Sequence, residues 1–188
     1  MIDIPTLVDN ATFEEIFDVV ALKARKGMTF VEVGSFLGGS ICYLGQQLKN
    51  LNKDVNLIAV DNWKFSNISS GHMQLVHGTD YYQEFLKNVK SCELNIDSIV
   101  GDSIETAKTF EDNSVDFLFL DGNHDFPYVE DELREWLPKM KTNSIIAGHD
   151  YCSAAGIRMA VKNIFCDNVQ FTKNQNSYYR IIGKGLDG

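Results

Sequence analysis

The chain has 188 residues, 44% of them apolar, with 17 lysines and arginines against 26 aspartates and glutamates and a formal net charge of −9. That length suits one domain, residues 1–188, burying roughly 70% of its extended surface, and the composition excludes a disordered tail or a fibrous repeat. An acid excess of this size supplies little of the cationic neutralisation that nucleic acid requires and repels an anionic membrane, so neither is expected as a partner.

In chain order, Met1-Ile2-Asp3-Ile4-Pro5 has neither a basic region nor a signal-like core. No apolar run approaches the roughly 18 residues that span a bilayer, so a cytoplasmic location is expected. Asn10 or Thr12 can cap a first helix, in which Phe13, Ile16, Phe17, Val20 and Ala24 recur at helical spacing until Gly27. A strand over 28–33 ends in the segment Gly34-Ser35-Phe36-Leu37-Gly38-Gly39-Ser40, beyond which Ile41, Leu44 and Leu48 mark a second helix. Strands are expected again at 55–60, 96–100, 115–120 and 144–147, and helices at 81–89, 104–110 and 154–165, with a further helix opened by Pro127, carrying Val129, Leu133, Trp136 and Leu137 and interrupted near its end by Pro138. The run Val115 to Leu120 is continuously apolar, as a strand covered on both faces would be. Residues 62–78, with Gly71, His72 and His77, have no clear period and read as an inserted loop or lid. Val169 to Thr172 and Tyr178 to Ile182 flank Asn174-Gln175-Asn176 and read as an antiparallel hairpin, whose exposed edge could pair two copies into a homo-oligomer. Cys42, Cys92, Cys152 and Cys166 form no CxxC and are expected to be free thiols. The fold class is therefore α/β, with five strand-helix units and a terminal hairpin.

Binding sites in open α/β sheets lie outside the carboxyl ends of the strands. Each strand end here carries an acid: Glu32, Asp61, Asp102, Asp121 and, after the fifth, Asp150. One acid at a strand-to-loop turn is ordinary; five at corresponding positions are expected to converge on one rim. The glycine turn after the first strand lacks both the GxGxxG spacing of a dinucleotide site and the lysine of a P-loop, so a ligand without a phosphate clamp is expected.

These residues resemble the class I S-adenosylmethionine-dependent methyltransferases over residues 28–151. The segment Glu32-Val33-Gly34-Ser35-Phe36-Leu37-Gly38-Gly39-Ser40 is similar to the family's first glycine motif, Asp61 to its ribose-binding acid, and Gly101-Asp102-Ser103 to its adenine-side segment. Two hydroxyls suit one carboxylate as acceptor. Within that superfamily, Asp121-Gly122-Asn123-His124 and Gly148-His149-Asp150 resemble the small metal-dependent O-methyltransferases of sugar and catechol type.

The resemblance implies a Rossmann-like, mostly parallel seven-stranded sheet of order 3-2-1-4-5-7-6 with a C-terminal antiparallel hairpin. It implies S-adenosylmethionine as cofactor, with Mg²⁺ or another divalent cation held by Asp121, His149 and Asp150. The family's adjacent pair is Asp-Asn, Asp-Asp or Glu-Asp; here it is His149-Asp150, and magnesium prefers oxygen. His149 is then either a ligand or a group behind the two acids. His124 matches the position of the sugar-modifying relatives' general base, a role open to imidazoles in general, whose ordinary pKa of about 6.5 lets them accept a proton near neutrality; alternatively it caps Asp121 or Asp125. Trp63 either stacks on the adenine or seals the core, and His72 and His77 either line the acceptor pocket or are solvated. The implied activity is O-methylation of a small-molecule hydroxyl such as a sugar diol or catechol. Alternatives are a cephalosporin-hydroxylase-like metal enzyme of the same fold and a non-catalytic cofactor-binding or assembly domain.

Overall fold

The computed structural model describes residue 4 and residues 13–64, 80–166 and 168–183. The 5–12 segment, with the capping residues Asn10 and Thr12, and most of the 62–78 insertion, with His72 and His77, lie outside the described residues. The strands are β1 (Thr29–Val33), β2 (Asn56–Asp61), β3 (Asp97–Val100), β4 (Val115–Leu120), β5 (Met140–Gly148), β6 (Gln170–Phe171) and β7 (Tyr178–Ile181). They form one sheet of order β3-β2-β1-β4-β5-β7-β6. The first five are parallel, whereas β7 runs antiparallel to β5 and β6 antiparallel to β7. The order and the terminal hairpin are those expected from the sequence.

Side chains alternate across the sheet with period two. Val31, Val33, Leu118 and Leu120 face one layer, made by α4 (Ser103–Ala107), α5 (Tyr128–Trp136) and α6 (Ala155–Phe165). Phe30, Phe117 and Phe119 face the other, where α1 (Glu14–Lys23) and α2 (Gly39–Asn50) contribute Phe17, Val20, Leu44 and Leu48. Phe17 meets Phe119 and Phe117 edge-on at centroid distances of 4.9 and 5.8 Å, the arrangement ring quadrupoles favour. α3 (Tyr81–Ser91) buries Phe85 and Val89 against Ile41, Ala59 and Trp63. A strand buried on both faces needs a continuous apolar run, which is why Val115 to Leu120 stands out in the sequence.

Two boundaries differ from the sequence reading by three residues or more. β5 begins at Met140 rather than at residue 144, because its register with β4 shifts between Val115 and Phe117 and Asn143 takes up a left-handed conformation (φ 67°). This irregularity interrupts the alternation that marks a strand. α4 stops at Ala107, and the chain continues to Phe110 through tighter i→i−3 hydrogen bonds from Thr109 and Phe110. No helix among the described residues is long and apolar enough to cross a membrane.

Candidate active site

With the sheet order β3-β2-β1-β4-β5, the strand-end residues stand in the spatial sequence Asp102, Asp61, Gly34, Asp121, Asp150 along one rim. At about 4.8 Å per strand this rim is roughly 19 Å long. A cavity of about 590 Å³ follows it, bounded by the glycine turn, Asp61, the Gly101–Ser103 segment, the 121–125 loop, Tyr128, Glu132 and Asp150. That volume is in the range of small-molecule sites.

The turn after β1 is pinned by Asp61. Its Oδ2 accepts the Phe36 N–H at 2.9 Å and its Oδ1 the Trp63 N–H at 2.7 Å. Both donor residues occupy the left-handed region, with φ of 45° and 48°. Burial raises the Asp61 pKa, although the N–H groups of Phe36, Trp63 and Asn62 work to lower it. Three N–H donors do not exhaust the roughly four lone-pair sites of a carboxylate, so Asp61 can still accept from a hydroxyl. Gly34 (φ 84°) lies so close to β4 that a Cβ would run into the Asp121 carbonyl and come within 2.6 Å of the Gly122 Cα. Glycine there lets the two strand ends meet. Glu32 sits at the end of β1, buried beneath the turn. Burial pushes its carboxyl up to about 7, while the Ser40 and Ser35 hydroxyls and the Ile41 N–H pull it down.

At the β3 end, Asp102 caps α4. One oxygen accepts the Glu105 N–H at 3.1 Å and the other the Tyr128 hydroxyl at 2.7 Å. Ser103 Oγ accepts the Trp136 indole N–H at 2.9 Å. Trp63 is not among the cavity-lining residues. It is buried against Tyr82 and Phe85, and its indole N–H donates to the Phe36 carbonyl at 2.7 Å, bracing the glycine turn from behind.

At the β4–β5 end, Asp121, His124 and Asp150 each present a ligand atom within 4.8 Å of the others. His124 Nε2 lies 3.2 Å from Asp150 Oδ2. The loop carrying His124 is folded by Asn123, whose side-chain oxygen accepts the Asp125 N–H at 2.8 Å. It rests on the first turn of α6, where a Cβ on Gly156 would meet the His124 carbonyl.

His149 is 2% exposed and lies behind the acids. The Asn176 amide nitrogen faces both His149 Nε2, at 3.2 Å, and Asp150 Oδ1, at 3.5 Å. A carboxylate only accepts, so the amide donates and Nε2 accepts. The imidazole proton is then on Nδ1, which lies 3.3 Å from Asp150 Oδ1 and 3.6 Å from Asp121 Oδ1. Asn176, in the hairpin turn, carries no signal in the sequence beyond that of a turn residue.

The two acids titrate in opposite directions. Burial, then the charges of Asp150 and Glu32, raise Asp121 well above the carboxylate range. Burial also works to raise Asp150, but hydrogen bonds from His149 and Ser153, joined by the charge of either histidine where it is protonated, outweigh it and hold the group well below that range. Among the described residues neither acid pairs with a lysine or arginine. Two carboxylates and an imidazole around a cavity, with neither acid neutralised by a lysine or arginine among the described residues, fit a hard divalent ion supported by oxygen donors.

Residues 31–151 match the family described as methyltransferase domain, and the chain belongs to that family. Its sheet order, glycine turn and strand-end acids place it in the class I, S-adenosylmethionine-dependent group of Rossmann-like folds. The uncharacterized protein y4gI of Sinorhizobium fredii is 27% identical over 138 residues, which are 70% of this chain but 14% of that protein. The chain thus spans a small part of that relative's length. Among solved structures, the O-methyltransferase NovP superposes with a TM-score of 0.69 at 17% identity, covering 95% of this chain and 82% of that one. CalS11, a TDP-rhamnose 3′-O-methyltransferase of calicheamicin biosynthesis, gives 0.59 at 14% identity, covering 90% and 77%. The precorrin 8w decarboxylase of Methanobacterium thermoautotrophicum gives 0.61 at 13% identity, covering 95% and 94%. At these identities the likeness is one of fold alone.

Proposed function

We propose that this chain is an S-adenosylmethionine-dependent, divalent-metal-assisted O-methyltransferase acting on a hydroxyl of a small molecule such as a sugar diol or a catechol. The observation that carries this reading is the joining of two half-sites in one cavity. The Asp61-pinned glycine turn continues directly into the Asp121, His124 and Asp150 group.

The donor's sulfonium methyl is already electrophilic, so the protein's task is alignment and proton removal. Glu32, Gly34, Ser35, Gly38, Gly39 and Ser40 build the turn over which the donor lies. Asp61 offers its remaining acceptor capacity to the ribose hydroxyls, and Asp102 and Ser103 border the adenine side. Asp121 and Asp150 are the oxygen donors for the cation, which when bound supplies Lewis acidity that favours the deprotonated form of a chelated hydroxyl. His149, seated behind Asp150, holds that carboxylate ionised and in place. His124 is partly exposed at the mouth, its Nε2 facing Asp150, and accepts the acceptor's proton.

The test is methyl transfer from labelled S-adenosylmethionine to a panel of catechols and free or glycosidic sugar diols, with Mg²⁺ and with a chelator. The reading expects turnover of at least one class, lost on chelation and in Asp150→Asn, and reduced about 10²–10⁴-fold in His124→Gln. Turnover unaffected by chelation would remove the metal. Donor binding without transfer to any hydroxyl would favour a non-catalytic domain.

A further inference from the structure

The turn between β6 and β7 has no part in the chemistry above, yet it clasps the segment that follows β5. The Tyr151 N–H donates to the Asn176 carbonyl at 3.0 Å and the Cys152 thiol to the Gln175 carbonyl at 2.9 Å. Within the turn, Asn174 Oδ1 accepts both the Asn176 N–H at 3.1 Å and the Thr172 hydroxyl at 2.8 Å, so the Asn176 backbone is held from both sides.

The Asn176 side chain is fixed in one orientation as well. Its Oδ1 accepts the Cys152 N–H at 3.3 Å, while its amide nitrogen faces His149 Nε2 and Asp150 Oδ1. Turning the amide over would set N–H against N–H at Cys152 and oxygen against carboxylate at Asp150. His149 Nε2 therefore meets a donor and answers it with its lone pair, which leaves the ring proton on Nδ1.

A histidine that ligates a metal through one nitrogen donates the N–H of the other to a carboxylate, a carbonyl or water. His149 has the reverse arrangement: its outer nitrogen meets an N–H, and the nitrogen facing the acids carries the proton. Its position would otherwise suit a ligand. Nδ1 lies 3.3 Å from Asp150 Oδ1 and 3.6 Å from Asp121 Oδ1. Ligand atoms around a tetrahedral ion with bonds of about 2.1 Å stand about 3.4 Å apart. The proton keeps Nδ1 out of the coordination of an ion between the acids, and the Asn176 amide keeps the proton there.

We propose that Asn176 sets the metal preference of this site, by holding His149 as a hydrogen-bond donor to the two acids and so withholding an imidazole nitrogen from the ligand set. This rests on the metal reading above. Carboxylate oxygens completed by water suit Mg²⁺ or Mn²⁺, whereas an added imidazole nitrogen moves the set toward Zn²⁺. Asn176 is a positioning residue: it acts through His149 and touches no reacting group.

The experiment follows the histidine ring nitrogens of the full chain by heteronuclear NMR at about pH 8, above the ordinary imidazole range. Spectra are taken without metal, then with Mn²⁺, which broadens ring signals near it, and then as added Zn²⁺ displaces the Mn²⁺. Because the rings report, ions held by cysteines elsewhere on the chain do not count. The expected result is Nδ1–H on His149 in the parent. Asn176→Asp has the same shape but its carboxylate only accepts, so it draws the proton to Nε2 and lowers the Zn²⁺ needed for displacement about tenfold or more. Its added charge attracts both ions alike and does not enter that ratio. Nε2–H in the parent, a tautomer unmoved in Asn176→Asp, or a moved tautomer with unchanged displacement overturns the proposal and leaves the metal reading intact. Should Asn176→Asp not fold, Asn176→Ala, which releases Nε2, takes its place: a smaller fall in the Zn²⁺ required is expected, and no fall overturns the proposal. Failure of Mn²⁺ to broaden the His124 and His149 signals of the parent overturns both.

Discussion

Gly34→Ala tests whether the junction of β1 and β4 has the tight geometry on which the cavity depends. Two penalties apply. An L residue at φ 84° in the left-handed region costs about 1–2 kcal/mol. The new Cβ would also run into backbone, the Asp121 carbonyl and the Gly122 Cα, and backbone cannot rotate aside as a side chain can, so overpacking adds about 1–3 kcal/mol. The sum is about 2–5 kcal/mol. Gly27 provides the control: its φ of 77° is nearly the same, but nothing lies within 4 Å of an added Cβ, so Gly27→Ala carries the strain alone, about 1–2 kcal/mol. At about 2–4 °C per kcal/mol for a chain of this size, Gly34→Ala melts roughly 2–12 °C below Gly27→Ala. Urea titrations followed by the fluorescence of the buried Trp63 and Trp136 would measure the same gap. Equal losses in the two variants would refute the close approach of the strand ends.

The buried carboxyls give a pH signature. Glu132 rises from 4.5 to about 7 on folding, so the folded state keeps a proton that the unfolded chain releases over that window, and stability falls as pH rises through it. At 1.36 kcal/mol per unit, Glu132→Gln should exceed the parent at pH 8 by up to about 3 kcal/mol and lose that margin near pH 4.5, in denaturant titrations at the two pH values. A margin independent of pH would show that Glu132 is not held in its neutral form. Asn176→Leu removes the donor to His149 Nε2 and should cost about 1–3 kcal/mol, read as a lower melting temperature; no change would mean that the hairpin turn does not hold the imidazole. Asp61→Asn turns one accepting oxygen into a donor against a backbone N–H and should cost a similar amount, about 1–3 kcal/mol, with tryptophan emission from Trp63 shifted; an unchanged melt would contradict its pinning role.

Much of this architecture is legible before any coordinates, because strand ends in a parallel sheet share one edge and the acids fall there in register. The apolar run from Val115 to Leu120 and the turn around Asn174–Asn176 locate the central strand and the reversed one. What escapes the sequence is contact between distant elements. Nothing local to His149 reveals that Asn176 fixes its tautomer, and nothing local to Trp63 tells that its indole braces the turn rather than lining the cavity. The irregularity at Asn143 hides the first half of β5 by breaking its alternation. Glu132 does leave a trace, a carboxylate at helical spacing with Val129, Leu133 and Trp136 on an otherwise apolar face. A single acid does not disturb the apolar stripe of an amphipathic helix enough to stand out.

The central claim is that the cavity along the strand ends binds S-adenosylmethionine through Asp61, and calorimetric titration of that ligand with and without Mg²⁺, repeated on Asp61→Ala, tests it most directly. The account predicts a micromolar association that falls at least about tenfold in the variant, while the variant's melt still shows a folded chain. No heat in any condition, with a thermal shift that also fails to move, would contradict it and leave the acidic rim in need of another ligand.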